Sequence, residues 1–488
     1  MLEIGCAVGG NIAAMAMSLP SARFVGVDLS ERQIEQGRAA IAAAGIGNLE
    51  MHALDLADVG NKLGTFDYVI AHGVLSWVSR DLQDELLSLF ARCLAPNGVA
   101  FVSYNTRPGW QELSVVRDGL IFDLRDVREP RERIRRARAY LAWLRESLPD
   151  GGRFGRRFIE QVALLDGLDD GSLLHEYLGA FHMPIHFHKL VARAARYGLW
   201  YLCDGEPALT ADHALAPEAS LARERSPKEL VFAEQYYDFL TNRRFRRTLL
   251  CRRGSPLTRT IDPRLIDDMF VSSRGQPVPA GAASAPAGAP APFDESAFDV
   301  RGTSSITFRT AETDLATDHP PMKAALLHLA SVAPRAIPFA ELLEAVRARL
   351  GPSPASDCER EADELRSQLV RAFLSSIGVV RLRTHATRCV SEPGELPVAS
   401  AWARHVAIDE ANVPNLDHDM VRLDDVLRRL LPLLDGTRDH AALEAELMAR
   451  VERGEIVVRM PDGRPGRPAP GAMDRALRNL ARNALLIA

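Results

Sequence analysis

The chain opens with a short strand-like segment that breaks into a glycine-rich turn, and this feature constrains the fold most. Residues 2–4 (Leu-Glu-Ile) predict a strand, and residues 5–11 (Gly-Cys-Ala-Val-Gly-Gly-Asn) predict a tight turn into a helix. Small residues let backbone N–H groups approach a ligand, and the positive end of the helix dipole points at it. Residues 24–28 predict a second strand ending in Asp28, whose carboxylate can bind both hydroxyls of a ribose. These features predict a nucleoside-binding site on an α/β sheet.

The glycine turn leaves two classes of cofactor open. A dinucleotide-binding turn has the pattern Gly-x-Gly-x-x-Gly, in which the second glycine lets the backbone touch a pyrophosphate. Here that position is Ala7, whose methyl group would crowd a pyrophosphate. The alternative is the Glu-x-Gly-x-Gly-x-Gly turn, with Glu3, Gly5, Ala7 and Gly9 in the four positions, which serves a cofactor without phosphate.

The next segments extend the alternation of strands and helices. Residues 51–56 predict a third strand ending near Asp55, and residues 66–72 predict a fourth strand ending at His72. Residues 94–98 (Leu-Ala-Pro-Asn-Gly) predict a turn, which is followed by a fifth strand over residues 99–104. Helical segments between these strands predict a doubly wound parallel sheet.

This ordered series resembles the class I S-adenosylmethionine (SAM) methyltransferases. Three blocks, HGVLSWV (72–78), SYNTRPGW (103–110) and NRRFRRTLLCRR (242–253), resemble bacterial methyltransferases with a methyltransferase regulatory domain. That group includes protein-lysine methyltransferases that modify outer-membrane proteins in rickettsia-like bacteria. The resemblance implies a Rossmann-like seven-stranded sheet with a helical insertion, SAM as the cofactor, and the lysine side chain of a protein as the first-choice acceptor.

The resemblance also implies site residues. For Asp28 the alternative is a turn cap, for Asp55 a helix N-cap, and for His72 an ordinary loop histidine. Trp77 and Trp110 are expected in the core rather than at the acceptor. The implied catalytic residues are His72, Tyr104 and Asn105, and the implied cofactor-binding residues are Glu3, Gly5, Cys6, Ala7, Gly9, Asn11, Asp28, Leu29, Asp55, Leu56 and His72.

Two further groups of residues have weaker patterns. The histidines at 175, 182, 186 and 188 lack the i, i+4 pairing of a zinc protease helix, so we expect no metal site. The basic run over residues 243–247 could hold an acidic acceptor, but a solvated or interdomain position is preferred.

Bulk composition excludes several partners. The net charge is −5, so no global field recruits nucleic acid or an anionic membrane. The cysteines at 6, 93, 203, 251, 358 and 389 form no Cys-x-x-Cys pair, which favours a reducing compartment. No apolar run or basic leader indicates membrane insertion or export, so we expect a cytoplasmic protein.

The beginning of the chain is unusual for this class. Class I methyltransferases normally carry a helix before the first strand, whereas here the glycine turn begins at residue 5. We expect a start codon placed too late or a truncated copy, and a true truncation should weaken cofactor binding and stability.

The remaining chain divides into further regions. Residues 277–292 consist almost entirely of proline, alanine and glycine and predict an unpacked linker. After it, three helices and a strand occur twice, which predicts paired winged-helix-like modules that bind protein or dimerise rather than bind DNA. The predicted regions are a SAM-binding core (1–110), a helical insertion that recognises the acceptor or regulates (111–182), the end of the methyltransferase core (183–255), a linker region (256–320), module 1 (321–384) and module 2 (415–488).

Two alternatives to protein methylation stay open. One is a methyltransferase that acts on a small molecule or natural product. The other is a non-catalytic scaffold that binds SAM and works through its C-terminal modules. The alanine at position 7 and the missing upstream helix are the observations that suggest this scaffold.

Overall fold

The structure is a computed structural model that describes residues 1–147, 152–179, 181–210, 227–278, 294–351, 354, 356–456 and 471–487. These residues form two compact units. The first unit comprises Met1–Gly5 and Leu54–Leu257, and the second comprises Cys6–Ala53 and Thr258–Ala488.

The principal sheet has seven strands in the order β3-β2-β1-β4-β5-β7-β6. Strands β2–β3, β1–β4 and β4–β5 pair in parallel, while β7 runs antiparallel to both β5 and β6. This confirms the predicted seven-stranded sheet, whose last strand in the sequence, β7, is antiparallel to its neighbours. The strands are β1 (Leu2–Ile4), β2 (Phe24–Asp28), β3 (Leu49–Ala53), β4 (Phe66–Ala71), β5 (Leu94–Asn105), β6 (Leu199–Asp204) and β7 (Phe245–Arg252).

Two strand boundaries differ from the sequence prediction. The turn predicted at residues 94–98 lies inside β5, where the pairing with β4 shifts between Phe66↔Leu94 and Tyr68↔Val99. The proline and Asn-Gly chemistry therefore produces an irregularity within a strand rather than a break before it. The third strand ends at Ala53, before the Asp55 that was expected at its tip.

Amphipathic helices connect the first strands. Ser30, Asp55 and Ser79 cap three of these helices, because each side chain accepts a hydrogen bond from a backbone N–H in the first turn. The four helices are α1 (Gly10–Ser18), α2 (Glu31–Ala43), α3 (Leu56–Leu63) and α4 (Arg80–Cys93), and a short 3-10 turn spans Leu75–Trp77.

The helical insertion after β5 has a hydrophobic core of its own, which includes Leu113, Leu120, Leu141 and Leu165. Its helices are α5 (Trp110–Asp123), α6 (Pro130–Ser147), α7 (Gly152–Asp166) and the short α8 (Asp170–Ser172), followed by a π-helical turn at Leu173–Tyr177. Helix α9 (Phe187–Arg196) and helix α10 (Pro227–Thr241) then flank β6 in the sequence.

A buried ionic cluster joins β6, β7 and α10. The guanidinium of Arg246 donates to both carboxylate oxygens of Asp238 at 2.9 and 3.0 Å, to Asp204 at 3.1 Å and to Glu234 at 2.9 Å. Arg243 donates to the same oxygen of Asp204 at 3.0 Å. The side chains of Arg246 and Asp238 are fully buried. The basic run at 243–247 therefore turns two of its charges inward, in place of the preferred solvated position.

In the second unit, a three-stranded sheet and three helices follow residue 258. Strand β8 (Phe270–Ser272) pairs antiparallel with both β12 (Ile337–Pro338) and β13 (Arg381–Arg383). Three helices, α11 (Pro320–Val332), α12 (Phe339–Leu350) and α13 (Cys358–Ser375), share one hydrophobic core with this sheet.

The region 256–320, predicted as a linker, contains ordered strands in the described residues. Strands β9 (Gln276–Val278), β10 (Ile306–Arg309) and β11 (Asp314–Thr317) form an antiparallel sheet. Pro277 and Val278 therefore belong to a strand, while residues 279–293 of the predicted linker lie outside the described residues.

A second core begins at Ala399 and contains the C-terminal helices. Residues 420–422 pair as a strand, and the first helix after that strand begins at Asp425. The next α-helix is capped by Asp439, while the hydroxyl of Thr437 donates to Asp435. The elements are β14 (Val398–Ala399), α14 (Ala401–Val406), β15 (Asn412–Pro414), β16 (Met420–Arg422), α15 (Asp425–Leu430), α16 (His440–Glu452), α17 (Ala472–Arg482) and β17 (Leu486–Ile487).

Asp417, in the turn between β15 and β16, links the two C-terminal modules. It bonds Arg381 and Arg383 of module 1 and Arg274 of the preceding region 256–320. Although burial opposes its charge, these arginines hold the pKa of Asp417 below its usual value. Across the described ranges, no helix is long and apolar enough to cross a membrane.

We predict that Arg246→Met lowers the free energy of unfolding by about 3–5 kcal/mol, because it leaves buried carboxylates without their counter-charge. Urea denaturation of the purified chain measures this loss. Arg253→Met is the matched control, since Arg253 belongs to the same basic block but is exposed. A loss for Arg246→Met no larger than that of the control would contradict the account.

Candidate functional site

The glycine-rich turn adopts the backbone that its sequence requires. Gly5, Ala7 and Gly9 have φ angles of +72°, +49° and +85°, so every second residue is left-handed. The N–H of Cys6 donates to Val27 at 3.1 Å, and the N–H of Gly9 donates to the carbonyl of Cys6 at 2.8 Å. Because L side chains rarely adopt this backbone, the turn places glycine where the strain would be largest.

Asp28, at the end of β2, contacts the turn directly. Its Oδ2 accepts the N–H of Ala7 at 3.0 Å, and its Oδ1 accepts the N–H of Ser30 at 2.9 Å. Each carboxylate oxygen retains a lone pair for a further donor. The next residue, Leu29, is 74% exposed and offers an apolar surface beside the carboxylate. A carboxylate next to exposed apolar surface fits the ribose and base of a nucleoside.

The other cofactor candidates occupy the neighbouring element ends. Glu3 is buried within β1, and Asn11 lies exposed in the first turn of α1. Asp55 is exposed, and its Oδ1 accepts the N–H of Ala57 at 3.0 Å. Asp55 is thus an N-cap, the alternative considered for it, and Leu56 is the first residue of the capped helix α3.

His72 follows β4 and is held by the end of β5. Its Nδ1 lies 2.7 Å from Ser103 Oγ, which also accepts the N–H of Gly73 at 2.8 Å. The ring packs edge-on against Phe101 and Phe245. Removal from water in this packing, with the positive charge of Arg247, lowers the pKa of His72 below its usual value. The imidazole is therefore uncharged at neutral pH.

The two candidates at the end of β5 differ in position. Tyr104 is 1% exposed, and its hydroxyl lies 3.0 Å from Thr248 Oγ1 on β7. Burial raises the pKa of Tyr104 far above its usual value, so the phenol stays protonated and packs inside the sheet. Asn105 is the next residue, and its Nδ2 lies 3.4 Å from His182 Nε2.

His182 belongs to an aromatic cluster that the sequence analysis did not assign to a site. Its ring centroid lies 4.2 Å from that of Trp110 and 5.1 Å from that of Trp77. Tyr177 stacks on Trp110 at 5.4 Å, and His175 lies 5.7 Å from Trp77. The tryptophans were expected in the core; Trp110 is buried, whereas Trp77 is half-buried. The block HGVLSWV could have indicated a functional position for Trp77, because it places this residue just beyond β4.

Burial within this cluster, together with the charges of Arg117 and Arg107, lowers the pKa of His182 to about 4. Among the described residues, no group of three or more histidines, cysteines or carboxylates could hold a metal ion. His186 and His188 stack at 5.6 Å, and His188 Nδ1 lies 2.8 Å from the Gln235 side-chain oxygen.

Three protein-family models match the chain. They are a methyltransferase domain at residues 2–100, a predicted methyltransferase regulatory domain at residues 169–252, and the PKMT C-terminal winged helix domain at residues 395–485. The last match confirms a winged-helix domain at the C-terminus.

Two uncharacterized proteins of Rickettsia prowazekii are relatives. One is 27% identical over 94% of this chain and 80% of its own length. The other is 36% identical over 40% of this chain and 79% of its own length. Among solved structures, PKMT2 from Rickettsia typhi is similar over 100% of this chain and 94% of its own, with 26% identity and a TM-score of 0.81. The same protein in complex with AdoHcy also gives a TM-score of 0.81, with 27% identity over 100% of this chain and 93% of its own.

We predict that His182 makes the folded state less stable as the pH falls. Its folded pKa of about 4 lies below the value of 6.5 for an unperturbed histidine, so the unfolded chain binds its proton first. Stability linked to His182 is complete above about pH 6.5 and is lost toward pH 4. His182→Gln should therefore lose less Tm than the wild type between about pH 7 and pH 5, a range in which the unfolded histidine takes up its proton.

Melting curves across this pH range provide the measurement. Phe181→Gln is the control, because it introduces the same side chain at an exposed neighbour. Identical pH slopes for the wild type and His182→Gln would show that His182 titrates normally in the folded state.

Proposed function

We propose that this chain, which belongs to the class I methyltransferases with a methyltransferase regulatory domain, transfers a methyl group from SAM to lysine side chains of proteins. The methyltransferase model covers the glycine turn and strands β1 to β4, and the chain is an S-adenosylmethionine-dependent enzyme. The similarity to PKMT2 over the whole chain is the observation that carries the choice of a protein acceptor.

The cofactor assignment rests on the same relative. AdoHcy, which that relative binds, is the product that remains when SAM loses its methyl group. We assign the ribose hydroxyls to the carboxylate of Asp28 and the base to the apolar surface of Leu29. We assign the amino-acid end of the cofactor to the left-handed turn at Gly5, Ala7 and Gly9.

The remaining assignments follow from position. Asp55 and Leu56 are proposed for the adenine edge, and Glu3, Cys6 and Asn11 for support of the turn and contact with the cofactor. Tyr104 is a positioning residue, since its buried hydroxyl holds β5 against β7. His72, which is exposed, and Asn105, which is buried beside His182, are the remaining candidates for contact with the acceptor.

Methyl transfer needs an acceptor with a free electron pair. SAM supplies a methyl group on an already activated sulfonium, so positioning provides most of the rate enhancement. The lysine amine must be uncharged before it forms the new C–N bond, and it releases a proton afterwards. His72 is uncharged at neutral pH, because its pKa is lowered, and can accept that proton.

Two other functions make different demands on the same site. A small-molecule methyltransferase would use the same cofactor residues but would transfer label into a low-molecular-weight fraction. A scaffold would bind SAM without turnover. The ordered Ala7 turn, with its N–H bonded to Asp28, favours an intact cofactor site over a degenerate one.

Location and partners complete the proposal. We place the protein in the cytoplasm, where reduced thiols are expected; no disulfide joins any of the six cysteines, all of which are described. We propose that the C-terminal modules contact the acceptor protein or a second copy of the chain.

We predict that Asp28→Asn weakens SAM binding roughly 10- to 100-fold, because a hydrogen bond to a charged group contributes about 1.5–3 kcal/mol. Calorimetric titration with SAM measures the change. The substitution keeps the size of the side chain but leaves a single acceptor oxygen, so one of the two backbone contacts, to Ala7 or to Ser30, is lost with the charge. Asp67→Asn, in the exposed part of β4, is the control and should leave the affinity unchanged. Equal affinity of Asp28→Asn and wild type would refute the ribose assignment.

The function itself is tested with SAM that carries a deuterated methyl group. The enzyme is incubated with total bacterial protein, the protein is hydrolysed, and the amino acids are analysed by mass spectrometry. We expect the label in Nε-methyl-lysine. Label in the small-molecule fraction alone would favour the first alternative, and saturable SAM binding without any transfer would favour the scaffold.

A further inference from the structure

The aromatic cluster lies at the end of the sheet where the parallel strands β4 and β5 finish. The N–H of Met183 donates to the carbonyl of Ser76 at 2.8 Å, and the N–H of Ile185 donates to the carbonyl of Asn105 at 3.1 Å. Ser76 Oγ in turn accepts the N–H of Asn105 at 2.8 Å. Ligands of open α/β sheets bind at the carboxyl ends of the strands. The cluster is therefore fixed to the ligand-binding edge of the sheet.

The accessible part of the cluster is centred on Trp77. Its indole is half-buried, with the imidazoles of His182 and His175 at 5.1 and 5.7 Å on its flanks. Trp110 and Tyr177 lie buried behind this surface and stack on each other. An ordinary core would bury all five rings, whereas here three of them stay in contact with solvent.

The backbone that carries this cluster is irregular. His175 and Tyr177 lie in a π-helical turn, Leu173–Tyr177, that continues the short helix α8. Single π-helical turns are rare and occur frequently at functional sites. This observation is independent of the aromatic contacts and points to a selected side-chain arrangement.

We propose that Trp77, His175 and His182 form the wall that receives the alkyl stem and ε-amine of the acceptor lysine. The inference rests on the proposed function, which requires a lysine acceptor. The indole of Trp77 covers the methylene groups, and Asn105 positions the ring of His182 at the inner end of the wall.

Electrostatics at this wall favours the reactive form of the amine. His182 is uncharged at neutral pH, so its imidazole adds no positive charge. Arg107 and Arg117 lie close enough to lower the pKa of His182. The same two charges, together with burial against indole and imidazole rings, lower the pKa of a bound lysine. The wall thus selects an apolar, linear alkyl chain and promotes loss of its proton.

Binding can be tested without turnover. The full-length chain is saturated with S-adenosylhomocysteine, and Nα-acetyl-lysine N-methylamide is titrated while the indole N–H signals of the five tryptophans are followed by NMR. The Trp77 signal is assigned by its loss in Trp77→Phe. We expect a saturable shift of the Trp77 signal and no shift of Trp143, which is 57% exposed on α6.

The selectivity for the length of the acceptor side chain is a second measurement. It would not change if the role of Trp77 were merely structural. Peptides containing lysine or ornithine are compared, because ornithine lacks one methylene group. We expect the wild type to prefer lysine about 10-fold in kcat/KM, as one methylene in an apolar pocket typically gives. Trp77→Ala should abolish this preference while SAM affinity is retained, and Trp77→Phe should keep part of it. Trp143→Ala is the control and should behave as wild type.

The two readouts separate this inference from the proposed function. Methylation of lysine with an unshifted Trp77 signal and unchanged selectivity in Trp77→Ala overturns the wall and leaves the function standing. A Trp77 shift without lysine methylation supports the wall as an amine-binding site and refutes the function. Absence of both the shift and the transfer overturns both.

Discussion

The buried guanidinium of Arg246 is the interaction on which the first unit depends. It contacts carboxylates from β6 and α10 while sitting on β7, and it lies 4.1 Å from the centroid of Phe187 at the start of α9. Four elements, β6, β7, α9 and α10, therefore contact the guanidinium of Arg246. Because β7 pairs with β5 through Ser103, Tyr104 and Asn105, the same cluster fixes the strand end from which the site is built.

The sequence predicted the parallel part of the fold well, because strands and helices alternate there with clear boundaries. Residues 24–28 form β2 as expected, and Asp28 ends it. The basic run at 243–247 was harder to interpret. A strand alternates its side chains between two faces, so Arg246 points inward even though its neighbours are charged. Only the position of Glu234 and Asp238 on α10, which is a tertiary property, shows why that burial is tolerated.

The acceptor side of the site was less visible in the sequence for a similar reason. Trp77, Trp110 and His182 come from three separate segments, and each alone is typical of a core or a loop. Their meeting depends on backbone hydrogen bonds that join Met183 to the turn after β4 and Ile185 to the end of β5. By contrast, Asp28 and the glycine turn are close in sequence and carry a compact motif, so local chemistry was enough to identify them.

Two uncharged imidazoles, those of His72 and His182, lie near arginines at the edge of the sheet where β4 and β5 end. The pKa of His72 is lowered by burial and Arg247, and that of His182 by burial, Arg117 and Arg107. Such surroundings disfavour the protonated form of an amine. The proposed reaction benefits from this because only the neutral amine has the electron pair that accepts a methyl group.

A crystal structure of the chain with S-adenosylhomocysteine and a lysine peptide tests the central claim most directly. The account predicts the ribose hydroxyls on the carboxylate of Asp28 and the lysine ε-amine against Trp77 and His182. Density for the nucleoside away from Asp28, or a lysine bound elsewhere while the wall at Trp77 stays empty, would contradict it.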